Sequence, residues 1–216
     1  MKVYKVIDNL YMFSTYENHI GLTFNQFLLL GKEPLLVHTG SRPHTVTQVP
    51  ELKNLLGDQE LTYAFISHFE SDECGGLGVL TEHYPHVRPI CSAVTARQIA
   101  GFGLAHGQQT VVKAPGDTLE TAEYSLQFIS YPSEMHLWEG LLAFEQRHGI
   151  LFSSDLFISR GFMESITVGT TWSEEVRKIS EHQIPGSTAR ENLKQALLPM
   201  PVKMVAPGHG PCLDVN

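Results

Sequence analysis

The segment His68-Phe69-Glu70-Ser71-Asp72-Glu73 places one imidazole and three carboxylates within six positions, after the apolar run 62–66 and before Cys74-Gly75-Gly76. On an extended backbone alternate side chains share a face, so His68, Glu70 and Asp72 are expected to converge on one point. Carboxylates gathered in a protein interior repel one another or take up protons unless a cation compensates them. The mixture of nitrogen and oxygen donors suits a transition metal. The bland reading of the same residues is an exposed acidic loop with one histidine. Three later positions weigh against it: His136 in 132–136, Asp155 at the end of 151–155, and His209 in Pro207-Gly208-His209-Gly210. Each follows a candidate strand, where the chain leaves a core and presents a side chain at its rim.

Such donors need a rigid frame, and the rest of the chain supplies many short elements. Runs at 3–7, 10–14, 26–30 and 35–37 predict strands, separated by Asn, Gly or Pro. The spacing predicts a helix over 49–56, with Pro50 in its first turn, and a strand over 62–67 that delivers the first donors. Helices are predicted over 77–83 and 93–100, around a strand at 88–91. In the second half, strands are predicted at 110–113, 118–120, 125–131, 141–145, 150–153 and 202–205, and amphipathic helices at 174–181 and 190–197. Two sets of strands, each closed by helices, imply an α+β fold in which stacked sheets carry helices outside.

At 216 residues, the chain is read as a single domain, 1–216. Hydrophobic content of 42% with 18% charged residues suits a globular protein, and the formal net charge of −8 argues against nucleic acid and anionic membranes as partners. No apolar run is long enough for a transmembrane helix. The N-terminal residues alternate like a strand and lack a signal-peptide core. Three cysteines, Cys74, Cys91 and Cys212, cannot form a complete disulfide framework, so a cytoplasmic location is expected. Cys74 and Cys212 flank donor segments, yet small buried thiols are the simpler reading. His19, His44, His83, His86, His106, His148 and His182 lack ligand spacing. His38 is assigned a supporting role rather than a ligand role. Tyr16, Phe69, Tyr124 and Trp138 are candidates for an apolar pocket wall.

On these residues the chain resembles the metallo-β-lactamase superfamily, whose αββα sandwich carries a HxHxDH motif, a later His, a bridging Asp and a final His in a Gly-His-Gly-like turn. The segments 25–30 and 35–40 look like that family's early strand pair, and the resemblance runs from about Tyr4 to His209. Where the hydrolases have a second His, this chain has Glu70, the mark of the flavodiiron proteins and of related oxygen-binding diiron proteins without a flavodoxin domain. The resemblance implies that His68, Glu70 and His136 hold one iron, that Asp72 and His209 hold the second, and that Asp155 bridges. Glu73 stands where the family commonly has His, and either replaces that ligand or stays behind the ligands. His38-Thr39-Gly40 stands in place of an Asp-Thr-Gly turn.

The implied cofactors are two iron ions, with zinc or manganese as alternatives. No flavin is expected in this chain, because it ends at Asn216, soon after the last His. The implied function is binding of dioxygen as a sensor, or reduction of dioxygen or nitric oxide with electrons from a separate donor protein. The rival is a dinuclear zinc hydrolase of thioesters, lactones or phosphoesters, against which the oxygen-rich donor set argues. Flavodiiron proteins form head-to-tail homodimers so that the flavin of one subunit serves the irons of the other. A homodimer is therefore a further expectation, although that reason for it is not expected here.

Overall fold

The computed structural model describes residues 1–104, 109–133 and 138–215, without the side chains of 133, 138 and 139. Strand β1 (Lys2–Ile7) opens a meander with β2 (Leu10–Glu17), β3 (Leu22–Leu29) and β4 (Leu35–Val37), each antiparallel to the next. Alternation along β2 and β3 sorts the side chains by face. Leu10, Met12, Phe27 and Leu29 face one core, while Phe13 and Leu28 face another. From β4 the chain switches to parallel pairing, through β5 (Tyr63–Phe65), β6 (Arg88–Cys91) and β7 (Val111–Val112). Helical crossovers make that pairing possible: α1 (Arg42–Leu56), α3 (Leu77–His83) and α4 (Ala93–Gly101). The short turn of helix α2 (Ser71–Cys74) precedes α3.

The second sheet holds β8 (Thr118–Glu120), β9 (Ser125–Ser133), β10 (Trp138–Glu145), β11 (Ile150–Ser154), β12 (Thr167–Thr170), β13 (Met204–Pro207) and β14 (Cys212–Val215), in the order β12-β14-β13-β11-β10-β9-β8. Phe27, Phe65, Phe128 and Phe152 fill the space between the two sheets. A second core lies between the first sheet and its helices, and a third under α5 (Trp172–Lys178) and α6 (Ser187–Leu197). The result is an αββα sandwich of two mixed sheets, as the sequence predicts.

Several boundaries differ from expectation. Helix α1 begins at Arg42 rather than at 49: Pro43 sits in its first turn, where a missing N–H costs nothing, and Pro50 lies inside the helix. Helices α5 and α6 also start earlier than predicted, at Trp172 and Ser187. Strands β12 and β14, four residues each, are too short for their alternation to stand out, and they pair with each other at the edge of the second sheet. Among the described residues, no helix is long and apolar enough to cross a membrane.

Candidate metal centre

Parallel pairing brings strand ends together at one rim. The chain leaves β4 at His38 and β5 at Ser67-His68, and β11 and β13 are parallel neighbours that end beside Asp155 and His209. The extended reading of 68–72 holds only as far as Glu70, whose backbone is extended (φ −140°, ψ 166°). Asp72 and Glu73 lie instead in α2. Successive helical side chains diverge by about 100°, not 180°, so both carboxylates can reach one site. On an extended chain, Glu73 would face away from Asp72. Ser154, at the end of β11, adopts a left-handed conformation (φ 51°), an uncommon one for a residue with a Cβ, just before Asp155.

The two sheets meet at the His68 turn. The Leu141 amide donates to the Ser67 carbonyl at 2.8 Å. A Cβ on the neighbouring Gly140 would lie 2.9 Å from that carbonyl oxygen and 3.2 Å from the His68 Cβ, so the approach needs glycine.

Four of the six expected donors, with Glu73, form two groups. In one, donor atoms of His68, Glu70 and Glu73 lie within 4.8 Å of one another, and in the other those of Asp72, Glu73 and His209 do. Asp155 stands between the groups: Oδ2 is 3.4 Å from His68 Nε2 and Oδ1 is 3.3 Å from His209 Nε2. His68 Nε2 is 3.1 Å from Glu70 Oε2, and His209 Nε2 is 3.4 Å from Asp72 Oδ2. The far side of each ring is held. His209 Nδ1 donates to the Thr23 carbonyl at 2.9 Å, which leaves Nε2 to face the carboxylates. His68 Nδ1 lies 3.0 Å from Ser67 Oγ, which in turn bonds Ser154 Oγ at 2.8 Å.

Electrostatics mark the cluster as uncompensated. Burial, and then the fields of Asp72, Asp155 and Glu70, push the Glu73 carboxyl well above the usual range. Burial also raises Asp72, against the pull of His209. Burial disfavours charge on His209, but its bond to Asp155 and the fields of Asp155 and Asp72 outweigh that, and the net shift is upward. Glu73 is 1% exposed, and its Oε2 has no hydrogen-bond partner among the described residues. Buried carboxylates of this kind fit a bound cation, and the donor types fit a transition metal.

His136 lies outside the described residues, as do the side chains of Trp138 and Glu139. His38 is buried, in a left-handed conformation (φ 61°), and burial, then the His68 ring, lowers its pKa to about 3, so it stays neutral. The three cysteines are buried, and burial pushes each thiol up to about 12, which makes them inert. Of the expected pocket residues, Tyr124 is in the inter-sheet core, Tyr16 packs on Phe162, and Phe69 packs on Phe102. The cavity over the donors, about 470 Å³, is walled instead by residues such as Leu22, Phe24, Tyr131 and Ile158, with Arg160 and His182 also lining it. A second cavity of similar size, between β9 and α6, is lined by no ionisable side chain.

Sequence reasoning also missed Asn25 in β3, whose side-chain amide donates to the carbonyls of Pro207 (3.2 Å) and Gly210 (2.7 Å) and clamps the His209 turn. Ser67, Ser154 and Asn25 are ordinary strand and turn residues, and nothing in their local pattern marks a role.

The chain is 28% identical over 205 residues to the protein named "Putative diflavin flavoprotein A 2" of Synechocystis sp., covering 92% of this chain and 35% of that one. It is 23% identical over 203 residues to a nitric oxide reductase of Moorella thermoacetica, covering 90% of this chain and 50% of the relative. The chain thus spans between a third and a half of the length of these curated relatives. Its fold matches the metal-soaked Flv1 flavodiiron core from Synechocystis sp. PCC6803, with a TM-score of 0.82 and 21% identity over 99% of this chain and 57% of that one. The family described as ODP family beta lactamase matches residues 22–210, a span that takes in every donor described above, and the chain belongs to that family.

Proposed function

We propose that the chain holds a dinuclear, non-haem iron centre and binds dioxygen or nitric oxide there, as a sensor or as a reductase fed by a separate electron-donor protein. The observation that carries this reading is Asp155, whose two carboxylate oxygens face two different imidazoles across the donor groups. His68, Glu70 and His136 are assigned to one metal, Asp72 and His209 to the other, and Asp155 to both. Iron, when bound, supplies electrons to a diatomic ligand, which zinc cannot do. The protein's own groups orient and shield. The bond from His209 Nδ1 to Thr23, and the Ser67 and Ser154 hydroxyls beside His68 Nδ1, fix the two rings with Nε2 inward. Leu22, Phe24 and Ile158 give the approach an apolar wall. Burial, then the fields of Asp155, Glu73 and Glu70, keep the Tyr131 phenol on that wall protonated.

The names of the relatives support redox chemistry, since one is a nitric oxide reductase and another a diflavin flavoprotein. A cytoplasmic setting and an external donor are parts of the same proposal. The test is metal analysis and optical spectroscopy of protein loaded with ferrous iron without oxygen and then exposed to air. About two metals per chain and a new visible band are expected, with the band lost in Asp155→Ala. An iron form indifferent to oxygen, beside a zinc form that hydrolyses thioesters or lactones rapidly, would establish the hydrolase instead.

A further inference from the structure

We propose that Glu73 is a second carboxylate bridge, which makes the centre a four-carboxylate pair that prefers iron or manganese to zinc. This inference rests on the dinuclear reading above. A ligand of one metal alone belongs to one donor group, but Glu73 belongs to both: its carboxylate lies within 4.8 Å of the donors of His68 and Glu70, and of those of Asp72 and His209. Its Oε2 is 3.9 Å from His68 Nε2, fully buried, and without a hydrogen-bond partner among the described residues. The backbone beneath it is pinned, because the Glu73 carbonyl accepts from the Thr39 amide at 2.8 Å. Gly76, three residues on, is tied to the same turn, its amide donating to the Gly40 carbonyl at 2.9 Å. With its backbone fixed, the side chain lies between the two groups. Metals in paired sites stand about 3.5–4 Å apart, a separation that one carboxylate spans with its two oxygens.

Charge gives the bridge a chemical consequence. Glu70, Asp72, Glu73 and Asp155 together carry as much negative charge as two divalent cations carry positive, so the loaded pair is neutral without an added anion. A pair with net positive charge holds a water-derived anion more strongly than a neutral pair does. Glu73 removes that charge and adds a hard oxygen donor, which favours iron and manganese.

The test is calorimetric titration of the metal-free full chain with manganese(II), and separately with zinc, for the parent protein, Glu73→Gln and Glu73→His. A bridge predicts that Glu73→Gln weakens both stepwise manganese affinities, each on the order of tenfold or more, and that Glu73→His shifts the zinc-to-manganese preference toward zinc. Loss at one step only would make Glu73 a terminal ligand and overturn the bridge, and unchanged affinities would remove it from the centre. Metal-free melting curves separate these outcomes from misfolding, because Glu73→Gln keeps the volume and deletes a buried ionisable group. A parent protein that takes up fewer than two ions would overturn the dinuclear centre and the bridge together. A parent that takes up two ions, beside an unaffected Glu73→Gln, would overturn the bridge alone.

Discussion

Gly140 offers the sharpest probe of how the sandwich builds the centre. In Gly140→Ala the added methyl would lie 2.9 Å from the Ser67 carbonyl oxygen, 3.2 Å from the His68 Cβ and 3.3 Å from the Tyr131 ring. The Ser67 oxygen is backbone and already accepts the Leu141 amide at 2.8 Å, so it cannot move aside without stretching that bond. Overpacking of this kind costs about 1–3 kcal/mol. For a chain of this size each kcal/mol lowers Tm by about 2–4 °C, so a fall of roughly 2–12 °C is expected in the metal-free protein. The atoms displaced belong to His68 and to the serine beside its Nδ1, so the variant is also expected to bind manganese more weakly. Gly78→Ala is the control. Gly78 lies within α3 with no atom near its missing Cβ, and the substitution is expected to gain about 0.5–1 kcal/mol and leave metal binding alone. Thermal melts of the metal-free proteins and manganese titrations read both effects. A Gly140→Ala protein that melts and binds like its parent would refute the close approach. One that melts lower yet binds equally would show that the approach does not position His68.

Two further outcomes are expected. In the metal-free protein Glu73, Asp72 and His209 all have raised pKa values, so the folded state holds protons that the unfolded chain releases. Their stabilisation is complete below the unfolded values, about 4 for the carboxylates and about 6.5 for histidine, and is lost as pH rises through the folded ones. The buried His38, its pKa lowered to about 3, acts in the opposite sense up to about pH 6.5, so Tm of the metal-free protein should fall above about pH 6.5, with a shallower slope in Glu73→Gln. A flat or rising profile above about pH 6.5 would contradict the buried cluster. Glu70→His replaces an anionic oxygen with a neutral nitrogen and should shift the ratio of zinc to iron bound toward zinc. Equal uptake of both metals by variant and parent would remove Glu70 from the discriminating set.

The convergence of His68, Asp155 and His209 was legible because each stands where an apolar run stops, and such runs are the primary signal in a sequence. His68, Asp155 and His209 follow β5, β11 and β13 as that rule requires. The pitch of the first motif was not legible. His68 to Asp72 alternate like a strand, and only the tertiary fold turns Ser71–Cys74 into α2 and brings Glu73 inward. The start of α1 was hidden for a related reason. Residues 42–48 hold little apolar periodicity, and the helix there is fixed by packing, with Thr45 and Gln48 buried. The Ser67, Ser154 and Asn25 supports were beyond reach, since each acts on a residue dozens of positions away or on a neighbour whose role depends on such a contact.

The clamp on the His209 turn also sets an order of events during synthesis. Thr23 and Asn25 emerge from the ribosome early, while the residues they hold, Pro207 to Gly210, emerge 182 to 186 positions later. A nascent chain can close the first sheet over α1 and α3 long before β13 exists. Until β13 docks, the cluster of His68, Glu70, Asp72, Glu73 and Asp155 lacks His209. Metal captured at that stage has fewer ligands and is more readily lost, so stable loading is expected to follow docking of β13. The centre is in this sense a checkpoint on completion of the second sheet, and a truncation before β13 should leave a cluster that binds metal weakly.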